Sequence, residues 1–259
     1  MNILDKICQN KKKEIFEDKK KYSINTLEKC VKKSKNRGFK NLILEKNVKK
    51  ENNLIGEIKQ RSPSAGQIIK NYDPVSYAKI YEKNGIGAIS VLTEKKFFKG
   101  SLDDLSLVQH NTTIPILRKD FILDPYQVLQ SKFYNADAIL IILSILSFNQ
   151  AKEILDTANK YNIDCLVEIH KFDEIDFALK LNNPIIGINN RNLKKLNINL
   201  DNTKDLRKQI PENFTLIAES GINSKQDIIE YNKTGIYNFL IGESLLKSKD
   251  ISKKIKELI

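Results

Sequence analysis

From about residue 53 onward, short runs of Ile, Leu and Val alternate with stretches whose apolar positions recur every three or four residues, the pattern of strands alternating with helices. Eight runs predict strands: NLIGEIK from Asn53, GAISVLT from Gly87, IPILRKD from Ile114, AILIIL from Ala138, DCLVEIH from Asp164, IIGINNR from Ile185, TLIAESG from Thr215 and NFLIGES from Asn238. Between them, DPVSYAKIYEKNG, DPYQVLQSKFYNA from Asp124, SFNQAKEILDTANKYN from Ser147, KFDEIDFALKLN from Lys171, DNTKDLRKQI from Asp201 and NSKQDIIEYNKTG from Asn223 predict helices. Asp73 and Pro74 supply the cap and first turn of the first of these. Such alternation over roughly 200 residues predicts an α/β fold, a closed (β/α)8 TIM barrel rather than an open doubly wound sheet. No GxGxxG follows the first strand, which counts against a dinucleotide fold.

Residues 1–48 form no clear strand. Two charged amphipathic stretches, around Leu4 to Lys21 and Ile24 to Lys33, predict helices of an N-terminal extension to a barrel of residues 49–259, the whole being one domain. The extension either covers the bottom of the barrel or helps to close its active-site face.

Residues two apart on a strand share a side, and in a barrel one such set points inward. The inward sets are Ile55, Glu57 and Lys59; Leu117, Lys119 and Phe121; Leu166, Glu168 and His170; Gly187, Asn189 and Arg191; Ile217, Glu219 and Gly221; and Leu240 with Gly242. Five of these six series run from an apolar or small residue to a polar or ionisable one, so charges converge on the carboxyl mouth. Burying them is costly unless they pair or do chemistry. A structural ion-pair layer is the competing reading, disfavoured because barrel layers are mostly branched apolar residues.

Glycine and serine follow the last two strands, in Glu219-Ser220-Gly221 and in Gly242-Glu243-Ser244. These are the loops many barrels use for phosphate, which predicts a phosphate site of backbone N–H groups at Ser220, Gly221, Gly242 and Glu243, with Lys59 beside the Ser62-Pro63-Ser64 loop adding charge. A small phosphorylated metabolite is the expected ligand.

Composition narrows this little. The formal charge of +12 is spread along the 259 residues, and lysine clusters lie beside acidic residues, so solvated helix faces account for them better than a nucleic-acid stripe. Cys8, Cys30 and Cys165 form no CxxC pair and there are two histidines, so neither a metal nor a disulfide framework is expected. No apolar run is long enough to span a bilayer and the first residues lack a secretory apolar region, so the expectation is a soluble cytoplasmic enzyme with no membrane or nucleic-acid partner.

Eight segments together, in order on successive strands, resemble the indole-3-glycerol phosphate synthase family of the tryptophan pathway: EIKQRSPSAG at Glu57, SVLTEKKFFKGS at Ser90, ILRKDFILDPYQV at Ile116, ADAILII at Ala136, LVEIH at Leu166, GINNRNL at Gly187, AESGI at Ala218 and FLIGESL at Phe239. The resemblance covers nearly all of the barrel and implies a carboxy-lyase. Such an enzyme closes the indole ring of 1-(2-carboxyphenylamino)-1-deoxyribulose 5-phosphate, releasing carbon dioxide and water, with no metal or organic cofactor.

It further implies Lys119 as general acid, its pKa lowered by burial and neighbouring cations, and Glu168 as base. Lys59 is then a second acid, a phosphate ligand, or both. Glu57 orients the lysines, while Asn189, Arg191 and Glu219 hold the hydroxyls, the ring and the leaving carboxylate. Ser62 and Leu240 complete the substrate contacts; Phe98 and Phe121 either form the slot for the anthranilate ring or are plain packing. His170 is a supporting residue the chemistry does not require, and Glu243 replaces no required group. Ala65 departs from the family pattern, which has a lysine in this loop. Transient contacts with other pathway enzymes are a further expectation.

Phosphoribosylanthranilate isomerase, a barrel of the same pathway, would carry a cysteine at the end of strand one and an aspartate at the end of strand six, where this chain has Glu57 and Asn189. A basic nucleic-acid-binding protein lacks motif support. A barrel that has lost catalysis would not be expected to keep the full charged set.

Overall fold

The computed structural model describes residues 2–31, 36–192 and 196–259. Eight strands, β1 (Asn53–Ile58), β2 (Ala88–Leu92), β3 (Ile116–Lys119), β4 (Ala138–Ile142), β5 (Asp164–Ile169), β6 (Ile185–Asn189), β7 (Thr215–Glu219) and β8 (Asn238–Ile241), close into a barrel in chain order. All pairs are parallel, and the ring shuts where Ile55 of β1 lies opposite Leu240 of β8 on one side and Ala88 of β2 on the other. The sequence runs start within two residues of these strands and overrun their ends, because the loop residues continue the same alternation of apolar and ionisable groups.

Two concentric apolar layers follow from the period of two. Ile55, Ala88, Leu117, Leu140, Leu166, Ile185, Ile217 and Leu240 fill the interior. Leu54, Ile89, Ile116, Ile139, Val167, Ile186, Leu216 and Phe239 face outward against the helices. The inward parity read from the sequence is therefore the parity of the fold.

Several helices begin where side-chain caps satisfy their free N–H groups. Asp73 caps α4 (Pro74–Lys83) and Ser101 caps α5 (Leu102–Asn111). Ser147 with Gln150 and Ser224 with Asp227 make reciprocal boxes on α7 (Phe148–Lys160) and α10 (Lys225–Asn232). α6 (Tyr126–Phe133) follows β3, while α8 (Ile175–Leu181) and α9 (Asp201–Arg207) follow β5 and β6, α8 preceded by a 3-10 turn at Phe172–Glu174. The short α11 (Glu243–Leu246) and α12 (Ile251–Leu258) end the chain. Helix α5 was not expected from the sequence: LDDLSLVQHN is rich in Asp, Ser, His and Asn, weak helix formers, and its cap decides.

The first fifty residues cover both ends of the barrel. Helix α1 (Ile3–Lys21) lies at the carboxyl mouth, with Leu4 and Ile7 packed beside Phe121 and Leu240. Helix α2 (Ile24–Cys30) buries Leu27 against Tyr126 and Leu129 of α6; Lys32 and Lys33 of the expected stretch fall outside the described residues. Helix α3 (Phe39–Lys49), absent from the sequence reading, closes the opposite end, with Phe39 and Ile43 fully buried against Ile55, Ala88, Ala138 and Ile185. There Asn238 donates to the carbonyl of Ile43, and Asn53 donates to the side-chain oxygen of Asn238 at 2.9 Å.

Candidate active site

A cavity of about 470 Å3 opens at the carboxyl ends of the strands. Every proposed site residue except Glu219 lines it: Glu57, Lys59 and Ser62 from β1 and its loop, Lys119 and Phe121 from β3, Glu168 from β5, Asn189 and Arg191 from β6. Phe98, Ser220, Gly221, Leu240, Gly242 and Glu243 complete that set. Glu219 lies behind Lys119, 1% exposed. Leu4 and Ile7 of α1 form the opposing wall, which puts the start of the extension on the active-site face, and Lys247, unmarked in the sequence, stands at the rim.

Lys119 is the centre of the charged floor. Its ammonium pairs with Glu168 at 3.2 Å and in closer contact with Glu219, and its pKa is raised. Burial alone would lower it, but the carboxylates of Glu219, Glu168 and Glu57 outweigh that. The expected lowering by neighbouring cations is therefore not what surrounds this lysine; carboxylates do. The two glutamates diverge. Burial opposes ionisation of Glu168, yet Lys119 and His170 hold it below the usual carboxylate range. Burial and the charge of Glu168 push Glu219 up to about 8 despite Lys119. Of the two, Glu168 is the carboxylate whose charge the site favours and Glu219 the one whose charge it opposes. Lys59 pairs with Glu57 beside it.

Two glycines make room for these carboxylates. A Cβ on Gly187 would overlap Oε1 of Glu219 and come within 3.1 Å of Leu166; one on Gly242 would lie 2.9 Å from the Cβ of Glu57. Around the floor, Phe98 and Phe121 stand with ring centres 6.2 Å apart. The loop bearing Phe98 is pinned by Glu94, fully buried, whose carboxylate accepts from the backbone N–H groups of Lys96, Phe97 and Phe98. In the β1 loop, Ser62 accepts from the N–H of Ala65 at 3.1 Å.

At the other side, Ser220 and Gly221 both take left-handed backbone, φ 67° and 85°, and turn that loop sharply. Asn189 accepts from the N–H of Arg191 at 3.0 Å. The Arg191 guanidinium reaches Glu243 at 3.2 Å, and Lys247 reaches the other oxygen of Glu243 at 2.6 Å. Glu243, one of the expected phosphate-site residues, thus sits in a cationic corner.

A second ionic group, unread in the sequence, fastens α1 to the site. Lys11, 4% exposed, pairs with Asp120 at 2.9 Å, and Asp120 pairs with Arg118 at 2.9 Å. Arg118 also donates to Thr93, Gln127, Ser131 and Gln130. Asp120 is adjacent to Lys119, so this buried network joins the mouth helix to the strand that carries the central lysine. Among the described residues no group of three or more His, Cys, Asp or Glu could hold a metal, and no helix is long and apolar enough to cross a membrane.

The sequence profile of the indole-3-glycerol phosphate synthase family matches residues 4–258. The chain is 38% identical over 259 residues to the indole-3-glycerol phosphate synthase of Zymomonas mobilis subsp. pomaceae, covering 100% of this chain and 98% of that protein. It is 41% identical over 259 residues to that of Campylobacter jejuni, covering 99% and 100%, and 46% identical over 209 residues to that of Dehalococcoides mccartyi, covering 80% and 81%. Among solved structures, thiamine phosphate pyrophosphorylase from Pyrococcus furiosus superimposes with a TM-score of 0.59 at 16% identity, over 81% of this chain and 94% of that one, a likeness of fold alone. With the profile spanning the chain and the relatives matched nearly end to end, this chain belongs to the indole-3-glycerol phosphate synthase family, carboxy-lyases of tryptophan biosynthesis.

Proposed function

We propose that the barrel mouth performs the family's ring closure with Lys119 as the acid, Glu168 as the base and the β7 and β8 loops holding the phosphate. The observation that carries this reading is Lys119 set between the buried carboxyl groups of Glu168 and Glu219 on the floor of an apolar-walled cavity. The substrate, 1-(2-carboxyphenylamino)-1-deoxyribulose 5-phosphate, carries an anion at each end. Lys59, Arg191 and Lys247 match the phosphate and Phe98, Phe121, Leu4 and Ile7 match the aromatic ring.

As the ring carbon attacks the ketone, the ketone oxygen takes a proton from Lys119. Carbon dioxide then leaves from the attacking ring carbon, and the electron pair of the broken carbon–carboxylate bond restores the aromatic ring. Loss of the hydroxyl as water needs a proton delivered to that oxygen and another removed from the intermediate, the second by Glu168, with Lys59 as donor of the first or as phosphate ligand. Burial and Glu168 oppose the charge on Glu219, which lessens the negative charge around Lys119 and eases its loss of a proton. Glu57 and Asn189 orient Lys59 and Arg191 respectively.

In the same reading, residues 1–48 are an extension of one unit with the barrel of residues 49–259, since α1 walls the cavity and α3 seals the other end. A cytoplasmic location and transient contacts with other enzymes of the pathway complete it. The isomerase alternative has no support at Glu57 or Asn189.

The test is to mix metal-stripped protein with the substrate and follow indole fluorescence, then to repeat with Lys119→Ala and Glu168→Gln. Turnover in the parent, its abolition in the first variant and an accumulated ring-closed intermediate in the second are expected. Near-normal turnover of Lys119→Ala would remove Lys119 as the acid.

A further inference from the structure

His170 ends the inward series of β5 but does not line the cavity; it stands behind Glu168. Its Nε2 lies 3.1 Å from Oε1 of Glu168, while the other oxygen of Glu168 lies 3.2 Å from Lys119. On its far side, Nδ1 is 3.7 Å from Glu174, whose carboxylate also accepts from the backbone N–H of His170 at 2.7 Å. Asn202 of α9 donates to the His170 carbonyl at 3.2 Å. Neither ring nitrogen makes an aligned hydrogen bond, so these are contacts of charge, and both ring nitrogens are inaccessible to solvent.

We infer that His170 is a positioning residue for the ring-closure reaction: an imidazolium clamped between Glu174 and Glu168, it fixes one oxygen of Glu168 so that the other faces Lys119 and the substrate. This rests on the reading of Glu168 as the base. A carboxylate held at one oxygen only would turn about its last bond and lose its aim. The groups facing the imidazole support the charged form. Glu168 comes from β5 and Glu174 from the 3-10 turn, Asn202 of α9 is neutral, and Lys119 is reached only through Glu168. Burial acts to lower the His170 pKa, but the two carboxylates push it up to about 9. The clamp is therefore complete at neutral pH and released as pH rises through that value.

The experiment measures kcat and KM against pH for the full-length protein, His170→Gln, Glu174→Gln and Glu168→Gln, and follows the ring resonances of His170 by NMR. With two histidines in the chain, the His110→Gln variant assigns them. His170→Gln should lose roughly tenfold to a hundredfold in kcat with KM changed little, as removal of supporting partners does elsewhere. Glu174→Gln should move both the His170 titration and the alkaline limb of kcat to lower pH together. Normal kcat in His170→Gln beside a dead Glu168→Gln would overturn the positioning role alone, as would a limb unmoved when the His170 titration shifts. A fully active Glu168→Gln would overturn both this inference and the base assignment beneath it.

Discussion

Gly187 lies in the middle of β6, away from any turn, and its importance is steric. A methyl group there would overlap Oε1 of Glu219, approach the Glu219 carboxyl carbon to 3.3 Å and meet Cδ1 of Leu166 at 3.1 Å. Leu166 and Glu219 are 0% and 1% exposed, so neither side chain has space to withdraw freely. Relief requires the carboxylate of Glu219 to retreat by about 1.5 Å, since unstrained atoms stay about 3.5–4.0 Å apart. Lys119 is bound to that carboxylate and moves with it. In most strands Gly→Ala stabilises by roughly 0.5–1 kcal/mol; here the overpacking should instead destabilise by about 1–3 kcal/mol. A shift of this size at a catalytic group costs on the order of a hundredfold in rate, so Gly187→Ala should lose that in kcat/KM while remaining folded. The assay is indole fluorescence with thermal unfolding in parallel, run as a double-mutant cycle with Glu219→Ala. Removing Glu219 removes the obstacle, so Gly187→Ala should add little further loss in that background. Near-parental kcat/KM in Gly187→Ala, or a loss that is fully additive with Glu219→Ala, would refute the argument.

Other outcomes follow from the buried groups. Lys11→Met should destabilise by about 3 kcal/mol in chemical denaturation, because it strips one partner from a buried ion pair. The Asp120 pKa is lowered by Lys11 and Arg118, which together outweigh the opposing effect of burial, so its pairing stabilises the fold above its unfolded pKa of about 3.9 and the benefit disappears as pH falls further. Asp120→Asn should accordingly flatten the acid limb of stability against pH; an unchanged limb would contradict the pairing. Thiol labelling of the native protein should be fast at exposed Cys30 and should reach Cys165 only after unfolding, since Cys165 is buried and its pKa is raised. Rapid labelling of all three thiols without denaturant would count against that packing.

The strands and the inward face were legible because side chains alternate with a period of two and one misassigned residue would turn a whole face outward. Thus Glu57, Lys119 and Glu168 could be placed at one mouth from their spacing alone. Helix α3 was not legible: it buries Phe39 and Ile43 in a lysine-rich stretch, and its first residue follows Gly38 in left-handed backbone with no capping side chain. The sign of the Lys119 shift was misread because it depends on which charges reach the ammonium in space. Gly187, Glu219 and His170 share inward parity, but nothing in their spacing says that one makes room, one lies beneath and one stands behind. Lys11 and Asp120 are more than a hundred residues apart, and a single lysine on a charged helix carries no mark that it is the buried one.

The seam at the bottom of the barrel also dictates when the protein can finish folding. Asn238 begins the last strand, yet it holds both Asn53 at the start of the first strand and the carbonyl of Ile43 in α3. The plug of α3 therefore has no complete seat until β8 is present, and a chain emerging from the ribosome carries Phe39 and Ile43 incompletely covered until that strand arrives. Such delayed, non-local closure is slow and leaves incomplete chains prone to association. A chain truncated before residue 238 lacks this seam altogether, so its first strand has no partner on that side.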